Sequence, residues 1–325
     1  MQRPRFLPDN FTLALLATVT LASVLPAQGT VAHFFEGLTT AAIALLFFLH
    51  GAKLSRAAVV AGLAHWRLHL LVLACTFAVF PMLGLVLKPL FSAVLTPELA
   101  VGMLFLCTLP ATVQSAIAFT AMARGNVSAA VCSASASSLI GVFITPLLVG
   151  WLVVPSGKGG LAGSGELAAV GRIMLQLMVP FVAGQLLQPW IGGFVKKHAA
   201  GLKFVDQGSI LLVVYTAFSA AVIEGLWKQV PLPVLLALVG ACCVLLALAL
   251  AMTTWGSRMF GFTKADEVTI VFCGSKKSLA SGVPMAKVLF AAHTVGVMLL
   301  PLMIFHQIQL MVCAVLAQRY AKRTP

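Results

Sequence analysis

Charged residues are scarce in this chain, and acidic residues are the scarcest. Only 9% of the 325 residues are Asp, Glu, Lys or Arg, and just 8 are acidic, whereas a typical soluble domain is about one quarter charged. Hydrophobic residues make up 61% of the sequence, and the mean hydropathy is +1.05. A water-soluble fold of this length needs more polar surface, so the composition predicts an all-α polytopic membrane protein.

Catalytic and metal-binding signatures are also missing. The sequence contains no G-x-S-x-G, no H-E-x-x-H and no P-loop, so nothing supports a hydrolase, a metalloprotease or ATP-driven transport. Its seven cysteines show no C-x-x-C spacing, which argues against a disulfide framework or a zinc site. We therefore expect no enzymatic activity, no cofactor and no metal other than sodium as a possible coupling ion, with the proton as the other candidate.

Ten apolar runs are long enough to cross about 30 Å of hydrocarbon. They lie near 11–27, 34–52, 68–90, 99–123, 127–154, 168–194, 208–227, 231–256, 265–290 and 294–317. With both termini on one side, 14 basic residues fall on that side and 5 on the other. Because cytoplasmic loops are enriched in Lys and Arg, this predicts cytoplasmic termini in the cell (inner or plasma) membrane. The net charge of +13 forms no sustained basic block, so no nucleic-acid partner is expected.

A Gly- and Ser-rich stretch at 155–165 divides the ten runs into five and five. We therefore predict two five-helix repeats, 1–157 and 158–325, inverted because each contains an odd number of spans. Short similar segments support the repeat. For example, Met122–Arg124 in the first half matches Met285–Lys287 in the second half.

Two adjacent lysines interrupt the ninth run. Placing an ammonium in hydrocarbon is unfavourable in free energy. Such a pair must therefore lie in a cavity, have a partner or lose a proton. Gly274, Gly282 and Pro284 predict a break in the helix at this depth, where freed backbone groups must be received by protein or water. The alternative is that the lysines extend to an interface or neutralise a helix C-terminus. The predicted binding residues of this run are Gly274, Ser275, Lys276, Lys277 and Ser278.

Span four contains a matching interruption. Pro110 removes a backbone donor, and Thr112, Gln114 and Ser115 bring polar side chains to mid-span. Two broken helices that cross at the bilayer midplane form a binding site for solutes or ions in secondary transporters; the alternative is a simple proline kink. In span five, Ser135 and Ser138 share a helix face and are further candidates, unless they only permit close helix packing.

These features resemble the bile acid:sodium symporter superfamily, which is solute carrier family ten. The resemblance rests on Phe48–Leu54, Ala123–Val127, Gly141–Leu148 and Phe260–Phe262. Phe272–Leu279, followed by Gly282–Met285, is similar to the divergent branch typified by the seventh human member. The resemblance implies ten spans in two inverted halves, crossing broken helices four and nine, and core and panel domains each drawn from both halves.

The chain departs from sodium-coupled members of that family at the ninth span. Those members have a glutamate two residues before the glycine of this span and a Gln-Asn pair two and three residues after it. The corresponding residues are Phe272, Lys276 and Lys277. Sodium requires oxygen ligands and is repelled by fixed positive charge, so the resemblance implies that the usual sodium sites are not both intact.

Our leading hypothesis is a secondary transporter that carries a small organic, anionic solute by alternating access without sodium. A lysine ammonium stands where relatives hold sodium, and a desolvated lysine beside a like charge is also a candidate for proton coupling. Two alternatives stay open. One is a sodium:organic-anion symporter whose ligands come from Thr112, Gln114, Ser115, Ser135 or Ser138 and from backbone carbonyls; the other is a membrane regulator that carries no solute.

Overall fold

The computed structural model describes residues 10–53, 65–153, 164–223, 225–290 and 292–322, and within these ranges the regular structure is helical with no strand. This confirms the all-α class. The helices are α1 Asn10–Val24, α2 Gly29–Lys53, α3 Trp66–Val94, α4 Pro97–Thr108, α5 Gln114–Met122, α6 Val127–Leu152, α7 Ser164–Lys197, α8 Ala199–Ile223, α9 Leu226–Gln229, α10 Leu232–Met259, α11 Lys264–Gly274, α12 Leu279–Leu289 and α13 Ala292–Ala321.

Seven helices within the described ranges, α2, α3, α6, α7, α8, α10 and α13, are long and apolar enough to cross a membrane. Two shorter apolar helices, Leu13–Val24 and Pro97–Thr108, accompany them. Such lengths fit a multi-pass membrane protein. The arrangement as ten spans in two inverted repeats stays a prediction, and most of the linker at 155–165 lies outside the described residues.

The helices pack as two groups. In the first helix group, α2 runs along α7 and α1 packs on α8; the second helix group contains α3 to α6 and α10 to α13. Glycine permits the closest approach in the first group, since a Cβ on Gly51 would lie 2.1 Å from the carbonyl oxygen of Phe181. The two groups meet where α8 contacts α12 and α13 and where α7 contacts α6 and α12.

Both predicted interruptions are present, and they touch each other. The chain leaves the helix between Thr108 and Gln114, and again between Gly274 and Leu279. Pro110 explains the first break because it carries no backbone donor for a continuous helix. The Ser278 backbone N–H donates to the Pro110 carbonyl at 3.0 Å, so the two breaks form one polar junction inside the second helix group.

Candidate functional site

Lys277 occupies the centre of this junction. Its side chain is fully buried, at 0% exposure. Its ammonium donates to three backbone carbonyls, those of Thr76 at 2.9 Å, Cys107 at 3.1 Å and Leu109 at 2.6 Å. An ammonium has three N–H donors, so every donor of Lys277 has an oxygen partner.

The local folding of two helices frees these carbonyls. Cys107 and Leu109 lie at the C-terminal end of α4. The last carbonyls of a helix receive no hydrogen bond from an N–H of the same helix. Thr76 lies in a π-helical turn, Cys75–Val79, inside α3, and such a turn shifts the regular hydrogen-bond ladder. The Phe80 ring lies 4.1 Å from the Lys277 ammonium. The cage therefore combines three oxygens, the negative end of a helix and an aromatic face.

The backbone of Lys277 is held from the opposite side by Gln309 of α13. The Lys277 N–H donates to Gln309 Oε1 at 2.9 Å, and Gln309 Nε2 donates to the Lys277 carbonyl at 2.9 Å. Gln309 is fully buried and also contacts His306 Nδ1 at 2.9 Å. The sequence analysis missed this residue; a glutamine inside the last apolar run was the available signal.

Lys276 is fully buried as well, but its surroundings differ. Its ammonium donates to the Ser115 carbonyl at 3.0 Å and lies 3.9 Å from the centre of the Phe119 ring and 5.3 Å from that of Phe272. Two aromatic faces and one carbonyl oxygen thus stabilise this ammonium.

The predicted alternative for the lysines can now be judged. Extension to an interface is wrong for both, because neither side chain is exposed. Neutralisation of a helix C-terminus describes Lys277 in part, since it lies at the end of α4. Within the described ranges no carboxylate forms an ion pair with Lys276 or Lys277.

The other predicted residues of span four lie beside Lys276. The hydroxyl oxygens of Thr112 and Ser115 are 2.5 Å apart. Gln114 is exposed, whereas Thr112 is buried and Ser115 is half-buried. The start of α5 is therefore the side of the junction that is open to its surroundings.

The small residues of the second interruption shape the backbone. A Cβ on Gly274 would lie 3.1 Å from Thr253 Cγ2, so glycine lets the end of α11 pack tightly. Ser275 donates its hydroxyl to the Val271 carbonyl at 2.6 Å. Ser278 is the N-cap of α12, and its hydroxyl accepts the N–H of Ser281 at 3.2 Å. These hydroxyls thus bond within their own segments.

In α6 the junction is supported by neighbours of the predicted serines. Ser135 and Ser138 are half-buried. Ser137 is fully buried, and its hydroxyl accepts the backbone N–H of Ala111 at 2.9 Å. Farther along the same helix, the Thr145 hydroxyl donates to the Thr108 carbonyl at 2.9 Å. Ser137 was not singled out from the sequence, because spacing alone did not fix which face of this serine-rich helix points inward.

A multi-pass helical protein with two touching helix interruptions and buried cations belongs to the class of membrane transporters. Comparison with known families makes this specific: the model of the SBF-like CPA transporter family matches residues 9–322, and the chain belongs to that family. The resemblance seen in the sequence to the bile acid:sodium symporters is thereby confirmed.

Three relatives illustrate the range of similarity. The "Uncharacterized protein PA2026" of Pseudomonas aeruginosa is 68% identical over 99% of this chain and 96% of its own length. The "Putative symporter YfeH" of Escherichia coli (strain K12) is 58% identical over 97% and 94%. The "Sodium/bile acid cotransporter 7" of Rattus norvegicus is 28% identical over 85% and 80%. The last two of these relatives are named as a putative symporter and a cotransporter, in agreement with the absence of enzyme motifs from the sequence.

Proposed function

We propose that the protein is a sodium-independent secondary transporter of a small organic anion, in which Lys277 acts as a built-in cation. It lies in the cell membrane with both termini in the cytoplasm, as ten spans in two inverted repeats, 1–157 and 158–325. The observation that carries the proposal is the Lys277 ammonium, bound by three carbonyl oxygens at the contact of two broken helices.

The Lys277 cage has the chemistry of an alkali-ion site. Rings of backbone carbonyls replace the hydration shell of such ions in membrane proteins. Here the oxygens of Thr76, Cys107 and Leu109 surround an ammonium instead. A second cation at about 4 Å from it would be repelled by roughly 4 kcal/mol at an effective dielectric constant of about 20. A tethered charge thus replaces the free ion and makes it unnecessary.

We propose an anionic solute because the two lysines of the junction have no negatively charged partner in the described residues. Lys276 and Lys277 are adjacent in the chain and form no ion pair with a carboxylate in the described residues. A solute that brings a negative charge offsets the free-energy cost of burying two ammonium groups. Loss of a proton from one of the lysines would have the same effect, which is the basis for the proposed coupling to protons.

Alternating access requires that the two helix groups move relative to each other. Within the described ranges one ion pair joins them, Glu36 Oε1 to Lys287 Nζ at 3.7 Å. The Glu36 side chain is about half exposed, and a pair of this kind contributes at most about 1 kcal/mol. Rocking of the first helix group, as the panel, against the second, as the core, therefore breaks little polar structure.

A thermal-shift screen of purified protein tests this function. A panel of aliphatic, aromatic and steroid carboxylates and sulfonates is titrated in sodium and in potassium, each at two pH values. We expect at least one anion to raise the unfolding temperature equally in both salts. No saturable ligand in the panel would favour the regulator that carries no solute.

The second candidate is sodium:organic-anion symport, favoured by the printed name of the rat relative, which is a sodium/bile acid cotransporter. Its ion would need oxygens away from Lys277, and the Thr112 and Ser115 hydroxyls, 2.5 Å apart, are the nearest pair to consider. Gln114, Ser135 and Ser138 complete the predicted ligand set. Stabilisation of the wild-type protein by sodium but not by potassium would support this candidate.

A further inference from the structure

We infer that the two lysines have different roles, and that Lys276, not Lys277, binds the anionic group of the solute. The inference rests on the proposed function and adds to it the residue that recognises the solute. Lys277 is then a permanent internal cation, whereas Lys276 is a binding group whose partner arrives from outside.

The two lysines differ in the number of hydrogen-bond donors that have a partner. All three N–H groups of Lys277 have carbonyl partners. Among the described residues, Lys276 has one hydrogen-bond acceptor, the Ser115 carbonyl at 3.0 Å. Its remaining donors face aromatic rings, with Phe119 at 3.9 Å. A buried ammonium with two N–H donors that lack an acceptor is stabilised more by an incoming oxyanion than an ammonium whose three donors all have acceptors.

The N-terminal end of a helix lies beside Lys276. The helix α5 begins after Val113, which provides no side-chain cap, and its first backbone bond runs from the Ile117 N–H to the Val113 carbonyl. The N–H groups of Gln114, Ser115 and Ala116 therefore have no acceptor within the helix. A positive helix end and an ammonium at the same place both favour a negative charge between them.

Access also differs between the two lysines. Gln114 is exposed and Ser115 is half-buried, so the start of α5 can be reached, while the carbonyls around Lys277 are enclosed by α3, α4 and the second interruption. The Phe119 and Phe272 rings lie against the Lys276 ammonium and are apolar. The ligand class is thus an organic monoanion with a carboxylate or sulfonate next to an apolar body.

The test measures electrostatic attraction at this place without a transport substrate. Gln114→Cys puts a reactive thiol at the exposed start of α5. Its modification by an anionic reagent, sulfonatoethyl methanethiosulfonate, and by a cationic one, trimethylammonium-ethyl methanethiosulfonate, is followed by mass spectrometry, which separates it from the seven native cysteines. The ratio of the two rates cancels changes in the reactivity of the thiol itself.

We expect Lys276→Met to lower the ratio of anionic to cationic rates on the order of tenfold, since one nearby unit charge acts in opposite directions on the two reagents. Lys276→Arg, which keeps the charge, should retain the ratio. Lys277→Met and Lys287→Met should lower the ratio less than Lys276→Met does, because the Lys277 ammonium is enclosed by three carbonyl oxygens and Lys287 pairs with Glu36. Unfolding temperatures of all variants verify that they are folded, and Lys276→Gln replaces the Met variant if that one does not fold.

An unchanged ratio in Lys276→Met, or an equal fall in Lys277→Met, overturns the inference. Either result leaves the proposed function standing if an anion still stabilises the protein without sodium. Conversely, a sodium-dependent anion overturns the proposed function while a tenfold fall specific to Lys276 still assigns this lysine to the anion.

Discussion

Replacement of Lys277 by methionine is the sharpest test of the built-in cation. Methionine fills the space of the lysine stem, is one atom shorter and carries no charge. The carbonyls of Thr76, Cys107 and Leu109 would lose the donor that they share. Each buried acceptor left without a partner costs about 1 to 3 kcal/mol, or about 6 kcal/mol for three. Relief from burying an ammonium returns several kcal/mol, so we expect a net loss of roughly 3 kcal/mol in the free energy of unfolding.

The same variant should acquire a dependence on cations that the wild-type protein lacks. With the ammonium gone, three carbonyl oxygens line the vacated position, and a sodium ion can bind there. At a sodium concentration one hundred times the dissociation constant, binding of the ion adds about 2.7 kcal/mol to the free energy of unfolding. Unfolding temperatures in detergent are compared in sodium, potassium and N-methylglucamine salts at constant ionic strength. We expect sodium to raise that of Lys277→Met and to leave the wild type unchanged.

Lys276→Met is the matched control, because it removes the same charge from the neighbouring residue. Its ammonium has one carbonyl partner, so its loss does not leave an oxygen cage, and sodium should not stabilise this variant. The reasoning would be refuted if Lys277→Met were as stable as the wild type in every salt, or if both variants responded to sodium alike.

Three further substitutions test how the junction is held. Gln309→Leu removes both bonds to the Lys277 backbone, and should lower the free energy of unfolding by about 2 to 6 kcal/mol and reduce anion binding in the thermal-shift assay. Ser137→Ala leaves the buried amide at the first interruption without an acceptor, and should cost about 1 to 3 kcal/mol in chemical unfolding. Gly141→Ala would place a Cβ 2.6 Å from Pro110 Cβ, and overpacking should lower the unfolding temperature by an amount equivalent to about 1 to 3 kcal/mol. If one of these variants unfolded with the same free energy as the wild type, the stabilising role of the contact that it removes or disturbs would be refuted.

The sequence was sufficient for the class, the interruptions and the two lysines. Long apolar runs have few other interpretations, and two charges inside one of them are conspicuous because burying them is expensive. Pro110 and the glycines around Lys276 and Lys277 also identified where the helices break, since proline and glycine change the backbone directly.

The partners of the lysines could not be predicted in the same way. Lys277 is bound by backbone carbonyls, and a carbonyl is the same in every residue, so Thr76, Cys107 and Leu109 carry no side-chain signal of their role. The π-helical turn that contains Thr76 has no known sequence signature to predict it. Gln309 reaches Lys277 across 32 positions of the chain, and local patterns do not extend that far.

The fields of the broken helix α4–α5 explain why two adjacent lysines have different environments. The negative C-terminal end of α4 faces Lys277, and the Lys277 ammonium donates hydrogen bonds directly to the Cys107 and Leu109 carbonyls. The positive N-terminal end of α5 lies next to Lys276, and its field opposes the ammonium by about 0.3 to 1 kcal/mol. Lys276 therefore relies on the Phe119 ring. One interruption in one helix thus presents a negative helix end to Lys277 and a positive helix end to Lys276, which is why the two adjacent lysines differ.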